Sequence, residues 1–187
     1  MHWIAPALDG KRFVISTTKA ADELNNNQAP KEAKLFVYDV NAQKIAREIV
    51  PVTKARTTGL IVEVAPGRLL GLTTSGVESG KQGILYGVEV STGEVLFRKP
   101  LPSPVSIDEY WPHWVDPSYE YWGLVRGPDG FIWTYLKNVL VRIDPKDASV
   151  HVVGKIDPVG YSTFVGKDLY LSGSEQLRRI RRIATVP

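Results

Sequence analysis

The sequence predicts an all-β chain, a β-propeller of about four blades of four-stranded antiparallel sheet. Three observations lead there. The apolar runs are short and rich in β-branched and aromatic residues. Two kinds of turn alternate between them. The resulting four-stranded unit recurs along the chain.

The runs come first. Arg12-Phe13-Val14-Ile15-Ser16-Thr17, Lys34-Leu35-Phe36-Val37-Tyr38 and Gly59-Leu60-Ile61-Val62-Glu63-Val64 are each bounded by turn residues. The one helix-like stretch, Ala20 to Leu24, is broken by Asn25-Asn26-Asn27 and Pro30, so residues 18–33 read as a long polar loop.

The first kind of turn joins two inner strands: Asp9-Gly10, Pro66-Gly67, Asp129-Gly130 and Gly166-Lys167-Asp168. The second joins two outer strands: Asp39 to Lys44, Glu89 to Glu94 and Asp144 to Ser149. Inner strands are expected to begin near Trp3, Leu60, Trp122 and Tyr161, at separations of 57, 62 and 39 residues. One small sheet cannot bury both of its faces, whereas sheets stacked around an axis cover each other. The blades are expected at approximately 1–50, 59–99, 121–155 and 160–183, in one domain. The last blade lacks its outer strand, and the N-terminus opens directly on an inner strand. The chain therefore reads as a C-terminal part of a longer propeller, with self-association or additional blades expected to complete it.

Gly127-Pro128-Asp129-Gly130-Phe131-Ile132-Trp133, followed by Val139-Leu140-Val141-Arg142-Ile143-Asp144-Pro145, resembles the blade repeat of the gluconolactonase/regucalcin-like and virginiamycin B lyase-like propellers. NHL-repeat propellers look similar. The resemblance is best over residues 121–153, and elsewhere covers turn placement only. It implies a propeller and little about activity, because such folds serve both enzymes and binding scaffolds. Gluconolactonase-like members hold a divalent metal ion through Glu, Asn and Asp above the channel. Glu120 is suitably placed before an inner strand, but no matching Asn precedes one. Lyase-like members use a channel His with Mg²⁺, a place that His113 matches loosely.

Composition narrows the remaining classes. The chain is 43% hydrophobic and 23% charged, ordinary for a soluble globular protein. It has no cysteine, which excludes disulfides and thiolate metal sites. No apolar run reaches the ~18 residues of a membrane span, and residues 1–6 have neither the basic nor the apolar region of a signal peptide. The net charge is +3, but Arg178, Arg179, Arg181 and Arg182 supply more than all of it, and the rest carries −1. That stretch reads as a terminal strand with exposed arginines, and no nucleic-acid partner is expected. Neither a Gly-x-x-x-x-Gly-Lys phosphate loop nor a Gly-x-Ser-x-Gly nucleophile elbow is present.

Propeller ligands sit over the central channel, at the loops entering the innermost strands. Here those loops carry His2, Arg56, Thr57, Thr58, Tyr119, Glu120, Tyr121 and Tyr161. The third entry loop is the richest. Residues 108–122 hold three of the five tryptophans and three of the eight tyrosines, beside Asp108, Glu109, Asp116 and Glu120. Tyr110, Trp111, Trp114, Tyr119 and Tyr121, with Arg56, are the candidate ligand contacts. Aromatic faces stack on the apolar faces of sugar rings while carboxylates accept hydroxyl hydrogen bonds. The alternative is that the rings cover a blade edge. His113 and Glu120 are the candidate catalytic residues, His113 as general base. A metal site would draw on His2, His113 and Glu120, and His151 is expected to be structural or exposed.

Two readings follow. The first is a ligand-binding or scaffolding module for a small molecule, carbohydrate by class, contacted through 108–122. The alternative is a metal-assisted lyase or lactonase.

Overall fold

The computed structural model describes residues 3–6, 9–17, 32–55, 57–73, 83–102, 123–136, 139–156, 162–172 and 176–183. These form fifteen strands and no α-helix. The first sheet is β1 (Trp3–Pro6), β2 (Arg12–Ser16), β3 (Leu35–Asp39) and β4 (Lys44–Ile49). The second is β5 (Leu60–Ala65), β6 (Arg68–Thr73), β7 (Ile84–Glu89) and β8 (Glu94–Pro100). The third is β9 (Val125–Arg126), β10 (Ile132–Leu136), β11 (Val139–Ile143) and β12 (Val150–Lys155). The fourth is β13 (Ser162–Val165), β14 (Asp168–Ser172) and β15 (Leu177–Ile180). In every sheet the strands lie in sequence order and pair antiparallel. The fold is all-β and of the β-propeller type, each sheet being one blade. The fourth has three strands among the described residues. Of the expected inner-strand starts, Trp3 and Leu60 open β1 and β5, while Trp122 and Tyr161 lie outside the described residues.

Turn chemistry produces the blades. Ala65 pairs with Arg68, so Pro66 and Gly67 alone close the inner turn of the second sheet, with Gly67 at φ +77°. Proline presets the first central position and glycine the left-handed second one. In the third sheet the Gly130 amide donates to the Gly127 carbonyl at 3.0 Å, and the Asp129 carboxylate accepts from the Phe131 amide at 3.2 Å. The outer turns repeat a different device. The residue four places after Asp39, Glu89 and Asp144 is left-handed each time: Gln43, Gly93 and Ala148. The outermost strand pair carries a register shift in each four-stranded sheet, which strengthens twist.

Register gives each sheet two faces. One carries Phe13, Leu69, Ile132 or Leu169 and is here termed incoming; the other carries Val14, Leu70, Trp133 or Tyr170 and is termed outgoing. The chain divides into two compact units, Met1–Leu101 with Ser106–Tyr110, and Pro102–Val105 with Trp111–Pro187. In the first unit the outgoing face of the first sheet (Val14, Leu35, Val37, Ile49) packs on the incoming face of the second (Ile61, Leu69, Tyr86, Val88). In the second unit Trp133, Tyr135 and Leu140 of the third sheet pack on Leu169 and Leu171 of the fourth. Both cores thus use the same outgoing-on-incoming contact, as a repeat should.

Two buried hydroxyls, Ser16 Oγ and Thr134 Oγ1, make no hydrogen bond. Thr134 lies mid-strand among Ile132, Leu136 and Val141. Burying an unpaired hydroxyl costs roughly 1–3 kcal/mol. Thr134→Val keeps the shape and removes the hydroxyl, so the melting temperature is expected to stay level or rise. Thermal unfolding checks this, and a drop of several degrees would show that the hydroxyl has a partner, such as an internal water.

Candidate functional site

The channel-facing candidates belong to the segments by which the chain enters each innermost strand. At the segment that enters β5, in the first unit, the structure is built from hydroxyl-to-backbone ties. The Thr17 amide donates to Thr58 Oγ1 at 2.9 Å, and the Thr58 amide donates back to the Thr17 carbonyl at 2.9 Å. The Gly59 amide donates to Thr57 Oγ1 at 2.9 Å. Thr17 Oγ1 in turn donates to the Lys34 carbonyl at 2.8 Å. Tyr86, fully buried, donates its hydroxyl to the Thr58 carbonyl at 2.6 Å. Burial in this apolar core pushes the Tyr86 phenol far above its ordinary range, so it is a permanent donor.

Thr57 and Thr58 are therefore buried and committed to backbone partners, not presented to a ligand. Thr58 ties the end of β2 to the start of β5 and so helps hold the first two sheets together, while Thr57 braces the segment locally at Gly59. The Ala33 amide adds a bond to the Ala55 carbonyl at 2.9 Å, and the Lys54 amide one to Glu32 at 3.0 Å. The polar groups of this segment are thus largely satisfied by backbone partners.

The chain enters residues 103–122 just beyond the second sheet, at Leu101. Leu101 is buried and its amide donates to the Gly83 carbonyl at 2.8 Å. It rejoins the third sheet through Gly123, at φ +76°, and buried Leu124, just before β9. Between these anchors, Tyr110, Trp111, His113, Trp114, Tyr119, Glu120 and Tyr121 all lie outside the described residues, as do His2 and Arg56. Among the described residues no group of three or more His, Asp or Glu side chains stands ready to hold a metal ion.

His151 lies exposed on β12, as its strand position predicts. Its Nε2 is 3.1 Å from Ser149 Oγ and its ring meets the Phe131 ring edge-on at 6.2 Å. The Gly-Pro-Asp-Gly segment proves to be a structural device. Asp129 accepts Trp133 Nε1 at 3.1 and 3.2 Å through its two oxygens, fixing the indole in the core. The arginine stretch is likewise held in place. Asp168 pairs with Arg179 and accepts the Arg182 amide at 2.7 Å. That amide first, and the Arg179 guanidinium second, hold the Asp168 carboxyl below its ordinary range. No described helix is long and apolar enough to cross a membrane.

No protein-family model matches the chain, and no curated protein matches it in sequence. Solved structures do. BamB from Moraxella catarrhalis matches at 12% identity and a TM-score of 0.52, over 94% of this chain and 46% of that one. Hydrazine synthase of Kuenenia stuttgartiensis matches at 12% identity and a TM-score of 0.63, over 97% and 58%. A luciferin-regenerating enzyme matches at 15% identity and a TM-score of 0.56, over 98% and 56%. This chain thus spans about half the length of each. At such identities the likeness establishes the fold alone.

Proposed function

We propose that this propeller module binds a small polar ligand, carbohydrate by chemical class, through the loop 108–122. The observation carrying the reading is the composition of that loop: six aromatic rings, four carboxylates and one imidazole within fifteen residues. Stacking rings beside acceptor groups is the combination a sugar needs. Two further points support it. The loop's length between Leu101 and Gly123 exceeds what joining two strands requires. Its two anchor points are themselves ordered by burial and, at Leu101, by a backbone hydrogen bond. Loops that carry function are characteristically set on such rigid scaffolds.

The test pairs binding with stability. Isothermal titration against a panel of soluble oligosaccharides identifies a binder for the unaltered chain. Trp111→Ala and Trp114→Ala are then expected to weaken that binding at least tenfold while shifting the melting temperature little. If both variants instead unfold several degrees earlier, the rings are core packing, and the reading fails. It fails equally if no oligosaccharide in the panel binds.

A further inference from the structure

Two aspartates in the chain are followed by glycine, Asp9-Gly10 and Asp129-Gly130, each in a turn that joins two inner strands. Such a pair is chemically labile, because no Cβ shields the glycine nitrogen from the neighbouring carboxyl. The nitrogen attacks the side-chain Cγ. The amide hydrogen and the carboxyl hydroxyl leave as water, and a five-membered succinimide remains. Water then opens the ring at the main-chain carbonyl of the aspartate. The product is isoaspartate, whose main chain runs through the former side chain. The sequence of steps needs no oxidant, reductant or further reactant. In a folded chain it depends on whether carboxyl and glycine amide are free to meet.

The third sheet denies its pair that freedom. The Gly130 amide already donates to the Gly127 carbonyl at 3.0 Å. The Asp129 carboxylate accepts the Phe131 amide at 3.2 Å and Trp133 Nε1 at 3.1 and 3.2 Å. That indole is 1% exposed, in the core of the second unit. Ring closure at Asp129 would break the turn bond and strand a buried donor, which is costly. The first sheet holds its pair at the surface. Asp9 and Gly10 are both exposed. The Asp9 carboxylate accepts the Lys11 amide at 2.9 Å and Arg12 Nε at 2.7 Å, both in contact with solvent, so water can replace either donor. The Arg12 and Asp9 side chains are 25% and 35% exposed, and ion pairs so placed hold weakly. Nothing lies within 4 Å of where a Gly10 Cβ would stand, so this turn has room to change shape.

We propose that Asp9 is a self-modifying site of the folded chain, passing through the succinimide to isoaspartate, and that Asp129 is kept from the same reaction by its indole and turn bonds. The change acts at one defined place. Asp9 lies in the turn just beyond the Pro6–Phe13 pair that ends the β1–β2 ladder. An added main-chain carbon there moves the carboxylate away from the Lys11 and Arg12 donors. The inner strand β1 then loses the ties that close its turn. The inference is independent of the ligand reading, since neither aspartate belongs to 108–122.

The test follows oxygen. The unaltered chain is kept folded at neutral pH in water enriched in oxygen-18, then digested with trypsin in ordinary water. Each passage through the ring leaves one heavy oxygen on the aspartate, and mass spectrometry reads it peptide by peptide. The peptide Met1–Lys11 is expected to gain label and isoaspartate. The peptide Gly127–Lys137 should gain label at least about tenfold more slowly, the rate equivalent of a single hydrogen bond. In urea the two peptides should label at similar rates, because the protection belongs to the fold. Trp133→Phe, which keeps most of the ring packing, should speed labelling at Asp129 and leave Asp9 as it was. An unlabelled Met1–Lys11 peptide overturns the inference, as do equal rates in the folded chain. A difference that persists in urea overturns it too, since it would then lie in the local sequence. Both comparisons use the unaltered chain and stand even if Trp133→Phe fails to fold. A folded Trp133→Phe with Asp129 still unlabelled overturns the part given to the indole.

Discussion

Replacing Trp133 with alanine is expected to cost about 3–5 kcal/mol, the range for deleting a buried indole. The side chain is 1% exposed and forms the centre of the second unit's core. Its ring meets Phe164 of the fourth sheet at 5.7 Å and 66°, so the deletion empties the junction between two sheets. The Asp129 carboxylate would also lose its indole donor and hold the inner turn through the Phe131 amide alone. Trp133→Phe separates the two effects, since it keeps most of the ring contact and loses only the Asp129 bond, at about 1–2 kcal/mol. Urea titration followed by circular dichroism measures both. A loss below ~1 kcal/mol for the alanine variant would mean that the third and fourth sheets do not rest on this contact.

Gly71→Ala is expected to be as damaging, although it adds one methyl group. A Cβ at Gly71 would stand 2.0 Å from Cζ and 2.3 Å from the hydroxyl oxygen of Tyr86. The Tyr86 ring lies flat over the glycine because the two residues are paired across β6 and β7. It cannot swing aside without losing its bond to the Thr58 carbonyl, which would strand a buried acceptor. Overpacking costs about 1–3 kcal/mol and the stranded acceptor a similar amount. Gly87→Ala is the control. Its Cβ would meet the Phe97 ring at 2.3 Å, but Phe97 is only half-buried on the outermost strand and no buried hydrogen bond of its own pins it. Thermal melts of the two variants should therefore differ by several degrees. Equal losses would show that Tyr86 is not pinned, and Gly71→Ala/Tyr86→Leu should recover part of the loss if it is.

The strands and turns were legible because they depend on neighbours in sequence. Pro66-Gly67 demands a tight turn whatever surrounds it, and Asp129-Gly130 brings its own hydrogen-bond acceptor. Ties across the sheets were not legible. Thr57 and Thr58 look like polar residues at a ligand rim, but Thr58's partner, Thr17, is 41 positions away. Nothing in either local sequence announces that pairing. Gly71 has the same character: it reads as a weak point in a strand until register sets it beneath Tyr86. Arg179 is exposed, as its strand reading expects, but its partner Asp168 lies across β14 and β15, a pairing set by register. Of the candidate site, the sequence displays the aromatic and acidic residues of 108–122, while their mutual geometry lies beyond the described residues.

The order of the strands within each sheet bears on how the chain reaches its native state. Within each sheet every strand hydrogen-bonds only to its neighbours in the chain, with no crossover. Most ladders therefore close over turns of a few residues, the connection from β2 to β3 being the long exception, and loop closure costs only slowly more as loops lengthen. Such local topology favours fast assembly relative to sheets that pair distant segments. It also lets a blade finish before the next one has been synthesised, so that within each unit the second sheet condenses on a face already formed. During translation the outgoing face of each unit's first sheet thus waits only for the sheet that the emerging chain delivers next.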